Sequence, residues 1–441
     1  MILFNYFRSN RLISQILFKI KRNLFTNICL VSINYFLSRI LFFNFKRYNY
    51  ISMATFLMNE SIKPIRIISE QRLKIMGPRF IGKYSFDLCN IPETIDLNFP
   101  AIEINRLRNI IAIGGTNLLL SNDNAVHPDL LEPARDIIPA ENFYMARVTL
   151  NFKYLDFRLL RKRLMVERAI SLLGQCTGNY AHFLTETLPR LILIDSYIEF
   201  KDWPLLVDNW IHPNMKASIE TFSKYNRDIL FINRWTGVNL HEIIDITPTA
   251  YITPEYRNFS KTKKLPKLAP EDFPFCKKAI EKLRERSMTI NLDMDKITSN
   301  KLYKKLYLRR NLETCGNLRT IVNIADVEAI IDRYGFFIID PGLLTIKEQV
   351  RIFREAEIVI SPVGASLANT IFSKPGCKII GLAPYYKNAN YYFFSNFMAI
   401  LGHDLYYVLG EQDKNDHNHL MHRKYFIDID ALEKAMKLFC I

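Results

Sequence analysis

Cysteine is scarce and scattered. The seven are Cys29, Cys89, Cys176, Cys276, Cys315, Cys377 and Cys440, with no C-x-x-C pair among them. An odd, unclustered set excludes a disulfide framework and a cysteine zinc site, and it predicts reduced, mostly structural thiols in the cytosol. Acid is missing from the first fifty residues. Arg8, Arg11, Lys19, Lys21, Arg22, Arg39, Lys46 and Arg47 supply eight of the net fifteen positive charges there. The body that follows is only mildly basic, which suits an anionic small ligand or anionic lipid as well as nucleic acid. Long hydrophobic runs are also absent. The longest uncharged run near the start, residues 23–38, holds three Asn and two Ser. It falls short of the roughly 18–20 apolar residues of a spanning helix. No clean apolar stretch is followed by a small-residue cleavage site, which excludes a cleavable signal peptide. Nothing resembles a helix-turn-helix, zinc finger or RNA-stacking motif, so nucleic acid is not an expected partner.

What remains is ample apolar matter in a long chain. With 441 residues and 49% hydrophobic content, the chain has room for two or three domains and a large core. Basic, aromatic and apolar residues mix over residues 1–56. This suits a helix lying on an anionic membrane surface, and equally a misread start ahead of Met53 or Met58. Short strand-like runs with turn signals fill residues 65–150, and IIAIGG at 110–115 is an apolar run ending in Gly-Gly. Residues 169–173 read as a buried strand, 175–179 as a turn, and Tyr180 onward as a helix. Residues 258–274 carry four lysines and three prolines and read as an exposed linker. After it, strand and helix alternate from Leu306 to Leu382, the spacing of right-handed crossovers in a parallel sheet. The expected organisation is an extension over 1–56, an α/β domain over 57–257, a linker over 258–274 and a second α/β domain over 275–441.

Three motifs could carry chemistry. The first lies in residues 348–375, EQVRIFREAEIVISPVGASLANTIFSKP. A strand ending in a glycine turn at a helix start, with small Ala365 and Ser366, leaves N–H groups and dipole for a phosphate. It is also a common strand-to-helix connection. The second is LYLRRN at 306–311, where Arg309 and Arg310 end a strand. Arginine suits bidentate contact with phosphate, but neighbours leave a strand on opposite faces, so at most one reaches a ligand if the strand continues. A solvated strand end reads the same way. The third is GNYAHFLTETLPRL at 178–191. His182 and Glu186 stand four apart on one helix face and suit acid–base work. Pro189 lacks an N–H, which frees the carbonyl of Thr185 and kinks the helix. A core helix with a satisfied histidine fits the pattern equally.

Weaker patterns carry less. Asp293 with Asp295, and Asp428 with Asp430, have the spacing of acidic metal pairs. Asp430 reads instead as the cap of the last helix. His417, His419 and His422 near Asp416 lie in a polar loop without the geometry of a zinc motif.

In order and distance these segments resemble glycosyltransferase family 61, in its bacterial, surface-polysaccharide branch. The resemblance is carried by Asn179, Tyr180, His182, Phe183, Glu186, Leu188, Pro189 and Arg190. It continues through Arg309, Arg310, Arg319 and Asn323, then Glu348 and Gln349. It ends on Gly364, Ala365, Leu367, Asn369, Phe372, Pro375 and Gly376. Three positions depart from the family pattern. Val363 stands where relatives carry His, Ile324 where Glu often follows the asparagine, and Gly381 where a strand often carries an acid.

The resemblance implies two facing Rossmann-like domains of the GT-B type. It implies inverting transfer from a nucleotide diphosphate sugar to a glycan or lipid-linked acceptor, with no metal or other cofactor. Arg309, Arg310, Arg319, Gly364, Ala365, Ser366 and Asn369 would hold the donor, with Asn179, Asn323 and Gln349 in support. Glu186 is the expected base, with His182 orienting it or the acceptor, and the roles could be exchanged. The expected setting is the cytoplasm, with peripheral contact to the inner face of an anionic membrane. The competing expectation, from the three departures, is an inactive scaffold associating with membrane or an anionic polymer.

Overall fold

The computed structural model describes residues 43–88, 90–130, 146–148, 152–160, 163–250, 268–292, 303–310 and 319–440. Residues 1–42, most of the expected linker and the Asp293/Asp295 pair lie outside them.

Two mixed sheets carry the fold. The first begins with β1 (Phe43–Ser52), β2 (Ile65–Ile68) and, after excursions into other sheets, β6 (Ile102–Ile113). Next come β7 (Leu119–Ser121), β8 (Asn124–His127), β9 (Ala146–Val148) and β10 (Tyr154–Leu160). It is completed by β11 (Leu164–Ser171), β12 (Leu205–Asp208), β13 (Ile229–Ile232) and β14 (Gly237–Ile246). The spatial order is β13-β12-β11-β14-β6-β7-β8-β1-β10-β9, with β2 beside β6. The first four strands are parallel and β6 turns antiparallel against β14. The order reverses between β11 and β14, so the carboxyl end of β11 opens on the crevice where α/β sheets bind ligands.

The second sheet is built from β15 (Lys305–Leu308), β16 (Phe337–Ile339), β17 (Ile358–Pro362), β18 (Lys378–Tyr385), β19 (Asp404–Gln412) and β20 (Tyr425–Phe426). Its order is β16-β15-β17-β18-β19-β20, parallel except for β20. Here the reversal falls between β15 and β17. β17 is buried along its whole length, as an inner parallel strand requires. The helices that matter most are α1 (Met53–Asn59), the bent helix α2, described below, and α3 (Pro213–Phe222). They continue with α4 (Lys277–Thr289), α5 (Ile324–Arg333), α6 (Ile346–Arg354), α7 (Tyr392–Leu401) and α8 (Ile429–Cys440). The predicted capping box of α6 is present: Thr345 accepts from the Glu348 N–H and Glu348 accepts from that of Thr345.

The sequence reading needs four corrections. β1 pairs with β8 and β10 inside the first sheet, and Met53 is buried in α1, so part of the expected extension is integral to the body. The halves also interlock: β4 (Arg79–Ile81) leaves the first half and pairs parallel with β19 of the second. The end of the expected linker is core. Pro270–Asp272 form a turn, and Phe273 and Phe275 are buried edge-on against Phe393. Two phenylalanines gain more from burial than the adjoining lysines and prolines gain from exposure. Finally, Asp428, not Asp430, caps α8, accepting from the Ala431 N–H at 3.1 Å.

The halves share one core. Leu184 and Phe222 from the first half belong to the same buried cluster as Phe372 and Phe397 from the second, and Phe222 stacks on Phe372 at 5.9 Å. No described helix is long and apolar enough to cross a membrane. Cys276 and Cys377 are buried free thiols, in keeping with a structural role.

A buried histidine in this core makes stability depend on pH. His403, between α7 and β19, donates from Nε2 to the Thr370 carbonyl at 2.9 Å. Burial pushes its imidazole down to about 4. Its folded value lies below its unfolded one, so the stabilisation is complete above about pH 6.5 and is lost as pH falls toward 4. The whole effect is about 3 kcal/mol. Asp208, pushed up to about 7 by burial, works in the opposite direction over the same range. The His403 contribution is therefore read as a difference. Urea midpoints of the wild type and His403→Gln should converge as pH drops from 7.5 to 4.5. A constant gap between them would refute it.

Candidate functional site

The third sequence motif follows β11 directly. Asp208, at the carboxyl end of β12, gathers the turn between β11 and α2. Its carboxyl accepts from the Gly115 N–H at 2.9 Å, the Gly174 N–H at 3.1 Å and the Thr177 hydroxyl at 2.5 Å. Asn179 then caps α2, its Oδ1 accepting from the Ala181 N–H at 3.0 Å.

The bend of α2 has a specific form. The chain is α-helical over Tyr180–His182, π-helical over Phe183–Thr187 and α-helical again over Leu188–Ile194. Pro189 is its cause, and the freed carbonyl is satisfied as the sequence requires. The Thr249 hydroxyl donates to the Thr185 carbonyl at 2.6 Å, and Arg190 Nε donates to the Glu186 carbonyl at 2.9 Å. Arg190 also reaches the Leu173 carbonyl at 2.9 Å, fixing α2 to the end of β11. A π-turn of this kind is frequent at functional sites.

The π-turn holds His182 and Glu186 together. His182 Nδ1 lies 2.5 Å from Glu186 Oε1, and both side chains are 15% exposed. Buried yet reachable, the pair can bind and move a proton. The His182 ring lies 6.1 Å from Phe393 on α7, so the dyad stands against the second half.

The second half brings Arg310 to the glycine turn. Its Nη2 donates to the Val363 carbonyl and its Nη1 to the Arg319 carbonyl, both at 2.9 Å. Arg309 turns away, making a two-pronged bond to Glu328 on α5 at 2.7 and 2.8 Å. The alternation of side chains along β15 thus divides the pair, as sequence reasoning allowed. Ala365–Phe372 is a 3-10 helix rather than an α-helix. Asn369 within it is fully buried. Asn323 lies apart from the turn: its side chain bonds both the carbonyl and the N–H of Ile427, tying α5 to the chain before α8. Gln349 faces the first half, accepting from the Tyr180 hydroxyl at 3.0 Å.

The loop with the expected histidines lies near this cluster. Burial and then the charges of Arg319, His419 and Arg310 push the His422 imidazole down. Among the described residues no group of three or more His, Cys, Asp or Glu side chains could hold a metal ion. Asp416 instead accepts from the N–H groups of Asn418 and Lys424.

Gly364 offers a sharp test of the turn. An added Cβ would lie 2.5 Å from Arg310 Nη2, while φ of 176° is extended backbone that alanine adopts readily. Gly364→Ala should fold normally but push Arg310 off the turn, weakening an anionic ligand held there about tenfold, or about 1.4 kcal/mol. Calorimetric titration beside a melting curve checks it, and unchanged affinity would remove the turn from the ligand site.

Several contacts were beyond sequence reasoning. Thr249, Phe393 and Asp208 reach the site from distant segments, and no local pattern marks them. The Tyr180 hydroxyl could have been suspected from the motif, but not its partners.

No curated protein matches the chain. Residues 180–380 match the family described as Glycosyltransferase 61, a span that includes the His182/Glu186 dyad, both arginines and the Gly364 turn. On that match the chain is a glycosyltransferase, with sugar donor and acceptor as its substrates.

Proposed function

We propose that this protein is an inverting glycosyltransferase that moves a sugar from a nucleotide diphosphate donor to a glycan or lipid-linked acceptor in surface polysaccharide synthesis. The observation that carries the reading is the placement of two motifs at the switch points of two sheets. The dyad follows β11, and Arg310 with the Gly364 turn follows β15 and β17. A GT-B arrangement of two facing halves fits that placement.

In this reading the diphosphate lies against Arg310, Arg319 and the turn at Gly364, Ala365 and Ser366. Arginine donors and helix N–H groups offset the charge that grows on the leaving oxygen, so transfer proceeds without a metal. Glu186 takes the proton from the acceptor hydroxyl. The acceptor oxygen bonds to the anomeric carbon from the far side as the bond to the diphosphate breaks, and the nucleoside diphosphate leaves. His182, bonded through Nδ1 to Glu186 Oε1, orients the carboxylate and leaves Oε2 for the acceptor. Arg309, engaged with Glu328, contributes less to the donor site than its neighbour. The basic residues 1–42 provide peripheral contact with an anionic membrane on its cytoplasmic face.

Thermal unfolding of the full chain with UDP, GDP, ADP or the corresponding sugars, with and without EDTA, tests the reading. A ligand that binds the folded state raises its stability. A rise with one nucleotide, indifferent to EDTA, is the expected result. No rise with any of them, in a protein that unfolds cooperatively, would defeat it.

A further inference from the structure

We infer that Tyr180 is a positioning residue that couples occupancy of the donor turn to the placement of the His182/Glu186 dyad. This rests on the functional reading above. Tyr180 opens α2 in the first half, two residues before His182. Its hydroxyl lies 2.6 Å from Asn369 Oδ1 and 3.0 Å from Gln349 Oε1, both in the second half. Asn369 belongs to the 3-10 helix that starts at the Gly364 turn, and Gln349 to α6, which leads into β17.

The chemistry of this contact gives it a direction. A phenol carries one proton and cannot donate to two carbonyl oxygens. Asn369 Nδ2 is buried and has no hydrogen-bond partner among the described residues. The donor conflict is removed when the Asn369 amide presents Nδ2 to the Tyr180 oxygen and the phenol donates to Gln349, which leaves the buried Asn369 without a partner at Oδ1 in place of Nδ2. Burial holds the phenol well above its ordinary value, so that proton stays in place. Gln349 Nε2 then donates to the Leu344 carbonyl at 2.9 Å, which also accepts from Asn214 Nδ2 of α3 at 2.8 Å. The chain of bonds runs Asn369, Tyr180, Gln349, Leu344, Asn214, and crosses between the halves three times.

Two features make the network more than packing. The apolar core already joins the halves through contacts such as Phe222 on Phe372, so these polar groups are not needed to hold them together. The network also has one end on the donor helix and its centre two residues from the dyad. A ligand that shifts the 3-10 helix at Asn369 moves the acceptor or donor that fixes Tyr180, and with it the first turn of α2. A buried bond of this type has sharp geometry, so a small displacement is felt along α2.

Hydrogen exchange by mass spectrometry on the full chain, with UDP, GDP or ADP as probe, reads the coupling directly. In the wild type the bound nucleotide should slow exchange over residues 364–370 and also over 180–188. In Tyr180→Phe, protection at 364–370 should persist while that at 180–188 falls by at least half. Turnover should drop about tenfold or more with nucleotide affinity within about threefold, the signature of lost orientation rather than lost binding. Gln349→Met severs the same link from the other side and serves if Tyr180→Phe folds poorly. Equal protection of 180–188 in wild type and variants would overturn the coupling and leave the donor site standing. No protection at 364–370 in the wild type with any probe would overturn the donor site, and the coupling with it.

Discussion

Glu186→Gln is expected to lower turnover by roughly two to four orders of magnitude, the range associated with a positioned proton acceptor. The substitution is nearly isosteric, and an amide oxygen can still accept from His182 Nδ1, which lies 2.5 Å from the carboxylate now. Fold and dyad geometry should survive, so the loss reads chemistry. Nucleotide affinity should stay within about twofold, because the groups proposed to hold the donor sit on the other half of the molecule. His182→Asn should cost less, about tenfold to a hundredfold, since it removes orientation and leaves the carboxylate. Steady-state kinetics over a pH series decide between them. Full transfer activity in Glu186→Gln would end its assignment as base. A heavier loss in His182→Asn than in Glu186→Gln would exchange the two roles.

Much of the site's local structure was legible because it depends on residues close together in sequence. Pro189 dictates a missing bond to Thr185, and His182 four residues before Glu186 dictates a shared face. Thr345 with Glu348 dictates a cap, and all three are present. The alternating strands and helices after Lys305 likewise follow from short local periods. What was not legible depends on contacts between distant segments. The chain that takes up the Thr185 carbonyl comes from Thr249, and the ring beside His182 from Phe393, more than two hundred residues on. Residues 43–52 looked like the end of a basic leader because polar residues, Lys46 and Arg47 among them, alternate with aromatics. That same alternation is the period of a sheet strand, with Tyr48 buried and Arg47 bonded to Asp156. The end of the expected linker departs from the reading for a similar reason. Composition over 258–274 is polar on average, and averaging hides the single Phe273 that anchors the segment in the core.

Arg310→Ala is expected to weaken nucleoside diphosphate binding about a hundredfold, near 3 kcal/mol, the upper end for a charge-assisted bond to a charged ligand. Two properties set Arg310 apart from its neighbour. It ends the strand on the side of the glycine turn, and two of its donors are fixed on the Val363 and Arg319 carbonyls. Backbone anchoring of this kind fixes the plane of the guanidinium, so the fork is preorganised for phosphate oxygens. Arg309 is exposed and its charge already faces the Glu328 carboxylate. Its replacement by alanine should change affinity by less than about threefold, because a partnered, solvated cation contributes little to a ligand beyond its reach. Arg310→Lys should recover little, since an ammonium cannot hold both carbonyls and still present a planar pair of donors. Calorimetric titration of the three variants with the nucleotide found by thermal unfolding measures the contrast, and melting curves confirm that each is folded. Equal losses at Arg309 and Arg310 would mean that net charge, rather than the geometry at the Gly364 turn, holds the donor. In that case rising salt should erase the affinity of the wild type and of Arg310→Lys alike, whereas a preorganised fork keeps a difference between them.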